Sequence, residues 1–140
     1  MDEMIFRCRT AKGHELPTSH KGLYFTEHTV FHVTPGQNYR VYEMALFNSG
    51  LIVLIVDDNR QPNWYPIELF DVVGGKLPAD WLFAVRGGDE TGTQAVWGHP
   101  RLVTDPTLDD SLANQDSEAR VIFWREIVMP EEGGATVEED

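Results

Sequence analysis

The sequence predicts a mainly β protein, in which a small, strongly bent antiparallel barrel is followed by a short helical extension. Three observations predict this class. β-Branched and aromatic segments alternate with turn-forming residues throughout 33–73, which is the pattern of consecutive short strands. The apolar run LIVLIV at 51–56 has the length of a strand buried on both faces. Beyond residue 104, apolar residues instead recur at helical spacing behind aspartates that can cap a helix.

The chain is expected to begin with a strand and a loop. Residues 1–22 are predicted to form an N-terminal strand within MIFRCRT, followed by a polar segment rich in turn formers. β-Branched and aromatic residues predict a strand at 23–33. The sequence TPGQN at 34–38 predicts a type II turn, because Gly36 can take the positive φ that this turn requires. A further strand is expected at 39–47.

The rest of the predicted barrel, which spans 23–85, follows from local turn chemistry. Pro66 has no N–H to donate to a neighbouring strand, so pairing is expected to stop there. Residues 77–85 are expected to form a short helix or an arm from which Trp81 packs back. The elements expected between these points are a strand at 51–56, a turn at 57–62, a strand at 63–66, a 3₁₀ turn at 67–70 and a closing strand at 71–73.

A helical C-terminal extension is predicted for 86–130. Asp105 is a suitable N-cap and the proline after it fits the first helical position, so a short helix is expected at about 106–114. Asp116 can cap a second helix at about 117–128, where apolar residues recur at helical spacing. The composition of that second segment also suits a strand, and helix is the preferred interpretation.

The chain is strongly acidic. Its 140 residues carry 23 Asp and Glu against 11 Lys and Arg, a formal net charge of −12. Such a surface repels nucleic acid and anionic lipid, and it favours a basic protein as partner. The tail at 131–140 holds acids and no base, and it is predicted to be disordered. A single cysteine, no bilayer-length apolar run and no visible signal sequence predict a cytoplasmic location.

Two blocks of sequence within 33–73 match a recognisable pattern. Gly36, Tyr39 and Val41 fit a block of the form xxGxxYxV. A second block, xIxDDxGxxxxYPxxxF, has Asn59 and Arg60 where the pattern has a glycine, and it is otherwise matched by Ile55, Asp57, Asp58, Tyr65, Pro66 and Phe70. In these blocks the chain resembles small SH3-like β-barrel proteins of bacteria and phages. The resemblance implies an SH3-like antiparallel barrel, and because its motif residues are turn formers and core aromatics, it transfers no functional site.

No cofactor or metal site is predicted. On a strand, His28 and His32 would stand about 13 Å apart, which is too far to share an ion. The paired Cys/His spacing of zinc sites is missing, and so are the nucleophile-elbow, phosphate-loop and dinucleotide-binding motifs. Catalysis is therefore not expected, although an active site assembled in space leaves no such motif. The candidate ligands considered are Cys8, His14, His20, His28 and His32.

The adjacent carboxylates Asp57 and Asp58 have two interpretations. Such a pair can perform acid–base chemistry or hold Mg²⁺, and Glu68 lies near enough in sequence to add a third oxygen ligand. The pair also stands where a tight turn favours aspartate, and adjacent residues in extended backbone point apart. Turn formation is the preferred interpretation, and a weak cation site stays open.

Aromatic side chains close to proline or glycine are the main candidates for a binding face. SH3-like barrels commonly bind peptides through aromatic grooves, and an acidic rim would select basic peptides. Adjacent strand residues face opposite sides, so Trp64 is expected to be exposed. Tyr65 and one or two of the tryptophans are expected to close the ends of the barrel, and this core role is the preferred interpretation. The set comprises Trp64, Tyr65, Trp81 and Trp97.

These observations favour a cytoplasmic protein-binding or accessory module, of an inhibitor or immunity type, that masks a basic partner. Two alternatives stay open. A small enzyme or ligand-binding protein would use a pocket between barrel and extension, with His99 and Asp57 as its polar groups. A structural protein would assemble with itself through the exposed barrel edge.

Overall fold

The computed structural model describes residues 3–12, 29–47, 50–74, 76–87 and 92–129. It is mainly β, with two antiparallel sheets and a helical C-terminal part. Its strands are β1 (Met4–Cys8), β2 (Asn38–Val41), β3 (Glu43–Phe47), β4 (Gly50–Val56), β5 (Pro62–Pro66), β6 (Phe70–Gly74), β7 (Leu82–Val85) and β8 (Thr93–Gly98). The helical elements are a 3₁₀ turn (Ile67–Leu69), α1 (Pro100–Val103), α2 (Pro106–Ala113), α3 (Ser117–Phe123) and a π-helical turn (Trp124–Val128).

The two sheets have the strand orders β2-β1-β6 and β5-β4-β3-β8-β7. The chain passes from the first sheet to the second at Tyr42, whose N–H donates to the carbonyl oxygen of Leu54 at 2.9 Å. It returns through the 3₁₀ turn between β5 and β6. The described strands thus form two connected sheets, and no closed barrel is found among them.

The first hydrophobic core joins residues of both sheets. Alternation along β1 buries Met4, Phe6 and Cys8, and these pack with residues of the second sheet such as Val53 and Tyr65. The turn before β2 is closed by a hydrogen bond from the N–H of residue 37 to the carbonyl oxygen of residue 34, and its glycine has a φ of +91°. The predicted turn at TPGQN is confirmed.

The opposite face of the five-stranded sheet is covered by the helices, which pack Leu112 and Phe123 against Leu54. Asp105 caps α2 by accepting a hydrogen bond from the N–H of residue 108 at 3.1 Å. Asp116 caps α3 in the same way, from the N–H of residue 119 at 3.0 Å. The helices predicted from these two caps are confirmed, and the preferred interpretation of 117–128 as helix holds.

Two segments differ from their predictions. Residues 82–85 form β7 instead of a helix or arm, and residues 93–98 form β8 within the stretch expected to be helical. Both strands depend on β3, since β8 pairs with β3 and β7 pairs with β8. This pairing joins distant parts of the chain, which local composition does not reveal. Of the strand predicted at 23–33, the described residues 29–33 form only an isolated bridge between Val30 and Lys12. The predictions for 13–28, for the tail at 131–140 and for three of the histidines lie outside the described residues.

Candidate binding sites

Asp57 is buried and holds the turn after β4. Its Oδ1 accepts hydrogen bonds from the N–H groups of Asn59 and Gln61 at 3.0 and 3.1 Å. Its Oδ2 accepts from the Asn63 amide at 2.9 Å and from the Tyr65 hydroxyl at 2.6 Å. A carboxylate has about four acceptor positions, and all are in use. Asp57 is therefore engaged in turn structure and has no position left for a ligand.

Asp58 ties the same turn to the loop before β2. Its two oxygens accept from the hydroxyls of Thr34 and Tyr39, each at 2.6 Å. Burial, followed by the hydrogen bond to Asp58, raises the pKa of the Tyr39 phenol to about 12, so this phenol stays a donor at neutral pH. Among the described residues, no three His, Cys, Asp or Glu side chains are grouped to hold a metal ion.

The aromatic candidates are divided between the two faces of the second sheet. Tyr65 is 5% exposed and packs edge-on against Phe31 in the first core. Trp64 faces the other way and is half-buried instead of exposed, because the helices cover that face. Trp81 and Trp97 are also half-buried, and Trp81 packs against the first core. The structure therefore does not bring the predicted residues together in one site.

β7 ends the five-stranded sheet, and no described strand pairs with its outer edge. Leu82, Phe83 and Val85 are 42%, 54% and 71% exposed. The Arg86 N–H donates inward to the carbonyl oxygen of Gln94 at 2.8 Å. Because backbone groups alternate in direction along an antiparallel strand, the N–H and C=O of residues 83 and 85 point outward. The edge thus offers donors and acceptors beside exposed apolar side chains.

An apolar row leads from the core to this edge. The register places Tyr65, Val53, Met44, Trp97 and Phe83 side by side across the five strands. The row is buried at Tyr65 and exposed at Phe83, whose ring centroid lies 5.0 Å from that of Trp97. The first core is therefore continuous with an exposed aromatic surface at the open edge.

A second candidate is the sheet–helix pocket, a cavity of about 480 Å³ between the five-stranded sheet and α2. This volume lies in the range of about 300–1,000 Å³ that is typical of small-molecule sites. Its apolar walls include Ala45, Phe47, Ile52, Trp64, Val96 and Leu112. Its polar lining includes Asn63, Arg86, Asp109, Asp110 and Gln115.

Asp109, which lines this pocket, forms a buried carboxyl pair with Glu43. Glu43 is 0% exposed, and no described group donates a hydrogen bond to either of its carboxyl oxygens. Its carboxyl meets that of Asp109, which lines the pocket. Two carboxylates are both acceptors, so they can hydrogen-bond only by sharing a proton. Burial, and then the charge of Asp109, raise the pKa of Glu43 well above its usual range.

Asp109 is the second acid of the pair. Burial raises its pKa to about 6, while the hydrogen bond from Glu43 and the charge of Arg86 act in the opposite direction. Arg86 itself is anchored, because its Nη2 donates to the carbonyl oxygen of Val103 at 2.7 Å. Once the more acidic Asp109 has ionised, the pair therefore holds one proton, and Glu43 carries it.

Gly98 makes room for Glu43. It stands opposite Glu43 in the register of β8 and β3. A Cβ at this position would lie 2.6 Å from Cγ and 2.9 Å from Cα of Glu43, which is closer than real Cβ contacts. The strand pairing that places Glu43 under the helices thus requires glycine on the neighbouring strand.

The polar groups of the pocket are not those that the sequence suggested. His99 instead caps α1, where its Nδ1 accepts from the N–H of residue 101 at 3.1 Å and burial lowers its pKa. Asp57 is engaged by its own turn. The sequence signal that could have located the pocket was Glu43, an acidic residue between the apolar residues Val41 and Ala45 at alternate positions of a predicted strand.

No family model, curated protein or solved structure matches the chain significantly. In the part of the chain that the structure describes, no helix combines the length and the apolar character needed to cross a bilayer.

Proposed function

We propose that the protein is a protein-binding module whose open β7 edge receives an extended, basic segment of a partner protein as an added strand. One observation carries this proposal: Phe83 and Val85 combine outward backbone groups with exposed apolar side chains. In strand addition, main-chain hydrogen bonds provide affinity and alternate side chains provide specificity. Proteins that do not use such an edge usually protect it with charges or prolines.

The proposal includes an SH3-like fold for β1 to β6. Its support is the strand order, in which β1 lies between β2 and β6 and a 3₁₀ turn precedes β6. The glycine turn before β2 and the Asp57–Tyr65 hydrogen bond involve residues of the two matched sequence blocks. β7 and β8 then extend the second sheet beyond β3, which creates the open edge.

The basic character of the partner is inferred from charge. The chain carries 23 acids against 11 bases, so its field attracts a basic segment and speeds the encounter. Asp80, just before β7, is exposed, whereas Arg86 after it is directed to the carbonyl oxygen of Val103. A masking role of the inhibitor or immunity type would use the same contacts.

The test is binding of a fluorescein-labelled peptide, Lys-Val-Lys-Val-Lys-Val-Lys, measured by fluorescence anisotropy with the full chain. We expect it to bind, whereas a peptide with Glu in place of Lys, and one with Pro in place of two valines, should not. Binding should weaken between low and physiological salt, because the Debye length falls from about 30 Å at 0.01 M to about 8 Å at 0.15 M.

A variant with Phe83→Lys and Val85→Lys should lose this binding, because it places two positive charges and no apolar surface at the edge. Val121→Lys on α3, where the side chain is 57% exposed, is the matched control and should bind normally. Equal binding by the two variants would contradict the proposal. A dimer that forms without peptide and disappears in the edge variant would instead support the alternative of self-assembly.

A further inference from the structure

We propose that the sheet–helix pocket binds a small organic amine, whose ammonium group displaces the proton shared by Glu43 and Asp109. The site is separate from the β7 edge, and the inference does not depend on the proposed function. The expected ligand carries a primary ammonium group on an apolar body about the size of one aromatic ring.

The apolar body follows from the walls of the pocket. Ala45, Ile52 and Val96 line one side from the sheet, while Leu112 lines the helical side. Trp64 and Phe47 add aromatic surface, and a cation near the face of such a ring is attracted by its electrons. A ligand with a purely polar body would leave these walls without contacts.

The ammonium follows from the carboxyl pair. Glu43 is fully buried and receives no hydrogen bond from any described group, and one oxygen of Asp109 is in the same position. A shared proton satisfies the pair with one hydrogen bond, whereas an ammonium offers three donors and no acceptor. From the pocket it can therefore donate to Asp109, which lines the cavity, and its positive charge takes the place of the shared proton beside Glu43.

The surrounding charges favour a cation over an anion. Asp110 lines the pocket beside Asp109, and Asp105 adds a further negative charge near the pair from the start of α2. The positive charge of Arg86 acts on both acids of the pair, and Arg86 also donates to the carbonyl oxygen of Val103. When the pair is ionised, its two carboxylates and Asp110 outnumber this single guanidinium. A carboxylate ligand would meet net repulsion here.

The proton balance of binding makes the proposal testable. The amine enters as a cation, the pair goes from one proton to none, and that proton passes to the buffer. Binding should therefore strengthen as pH rises, by up to about tenfold per pH unit. This trend should flatten once the pair is already ionised in the free protein.

The experiment is isothermal titration calorimetry of the full chain with 2-phenylethylamine, 2-phenylethanol and phenylacetate. These probes share a body and differ in the charge of one end. We expect the amine to bind at least about tenfold more tightly than the alcohol, as for a charge-assisted contact in a buried site, and phenylacetate to bind more weakly still. Titrations in phosphate and Tris should show release of up to one proton per amine bound.

Two variants test the residues. Asp109→Asn and Glu43→Gln should each remove most of the preference for amine over alcohol, and the proton release with it. Asp110→Asn changes an acid on the same wall and should lower amine affinity only about two- to threefold. If Glu43→Gln does not fold, the Asp109→Asn variant and the comparison of buffers with the wild-type protein still test whether the carboxyl pair binds the amine. Equal affinity for amine and alcohol, absence of proton release, or no binding of the amine would each overturn the proposal.

Discussion

At the scale of single residues, Glu43 stands out because its position costs free energy. Moving a carboxyl from water to a site without a donor is unfavourable, and the group responds by keeping its proton. The folded pKa of Glu43 thus lies above the unfolded value of about 4.3. Between these two values the folded state binds more protons than the unfolded state, so stability falls as pH rises.

Replacing Glu43 with Gln should remove this pH dependence, because an amide keeps the shape and donates to Asp109 without titrating. The free energy of unfolding of the variant relative to wild type should rise with pH, by up to about 1.4 kcal/mol per unit above about pH 4.5. Urea unfolding at several pH values between about 5 and 8 measures this slope.

Glu118→Gln, at an exposed position of α3, is the control and should leave the slope of wild type unchanged. A Glu43→Gln variant whose relative stability stays constant with pH would show that Glu43 is already ionised in the folded protein.

The contrast with Asp57 explains what the sequence could reveal about single residues. The partners of Asp57 lie within eight positions along the chain, whereas those of Glu43 come from β8 and α2.

At the scale of elements, the pairing of β3 with β8 depends on Gly98. An alanine there would press its Cβ against both the side chain and the Cα of Glu43, and the backbone of β3 cannot move aside easily. Gly98→Ala should therefore destabilise the fold by about 1–3 kcal/mol, the usual cost of overpacking. Chemical denaturation of the purified variant checks this value.

Gly74→Ala on β6 is the matched control, since the nearest atom to its Cβ is 3.6 Å away and its stability should change by about 0.5 kcal/mol or less. Similar stability of the two variants would mean that β3 and β8 are not in this register.

The sequence predicted the elements closed by their own turns and caps, such as β4, β5 and α2. It did not predict β7 and β8. Gly98 and the proline after His99 are local signals for the end of a strand, and the close packing of Gly98 against Glu43 becomes visible only when β8 is paired with β3.

At the scale of the whole molecule, an excess of twelve negative charges acts on the fold as well as on partners. Folding brings like charges together, and this self-repulsion opposes the compact state. The ion pairs that the structure contains, such as Arg101 with Asp105 and Glu126 at 2.7 Å, are partly exposed, and pairs of this kind contribute little on average. Screening should therefore stabilise the protein more by weakening repulsion than it destabilises it by weakening these pairs.

Raising KCl from about 0.01 M to about 0.15 M shortens the Debye length from about 30 Å to about 8 Å, so repulsion between distant carboxylates is largely removed. We expect the melting temperature at neutral pH to rise over this range by a few degrees, the shift that about 1 kcal/mol produces in a domain of this size. The same titration near pH 4.7, where the charges of the chain balance, should leave the melting temperature nearly unchanged. A fall in melting temperature with salt at neutral pH would mean that attractive pairs, and the network around Arg101 in particular, outweigh the repulsion.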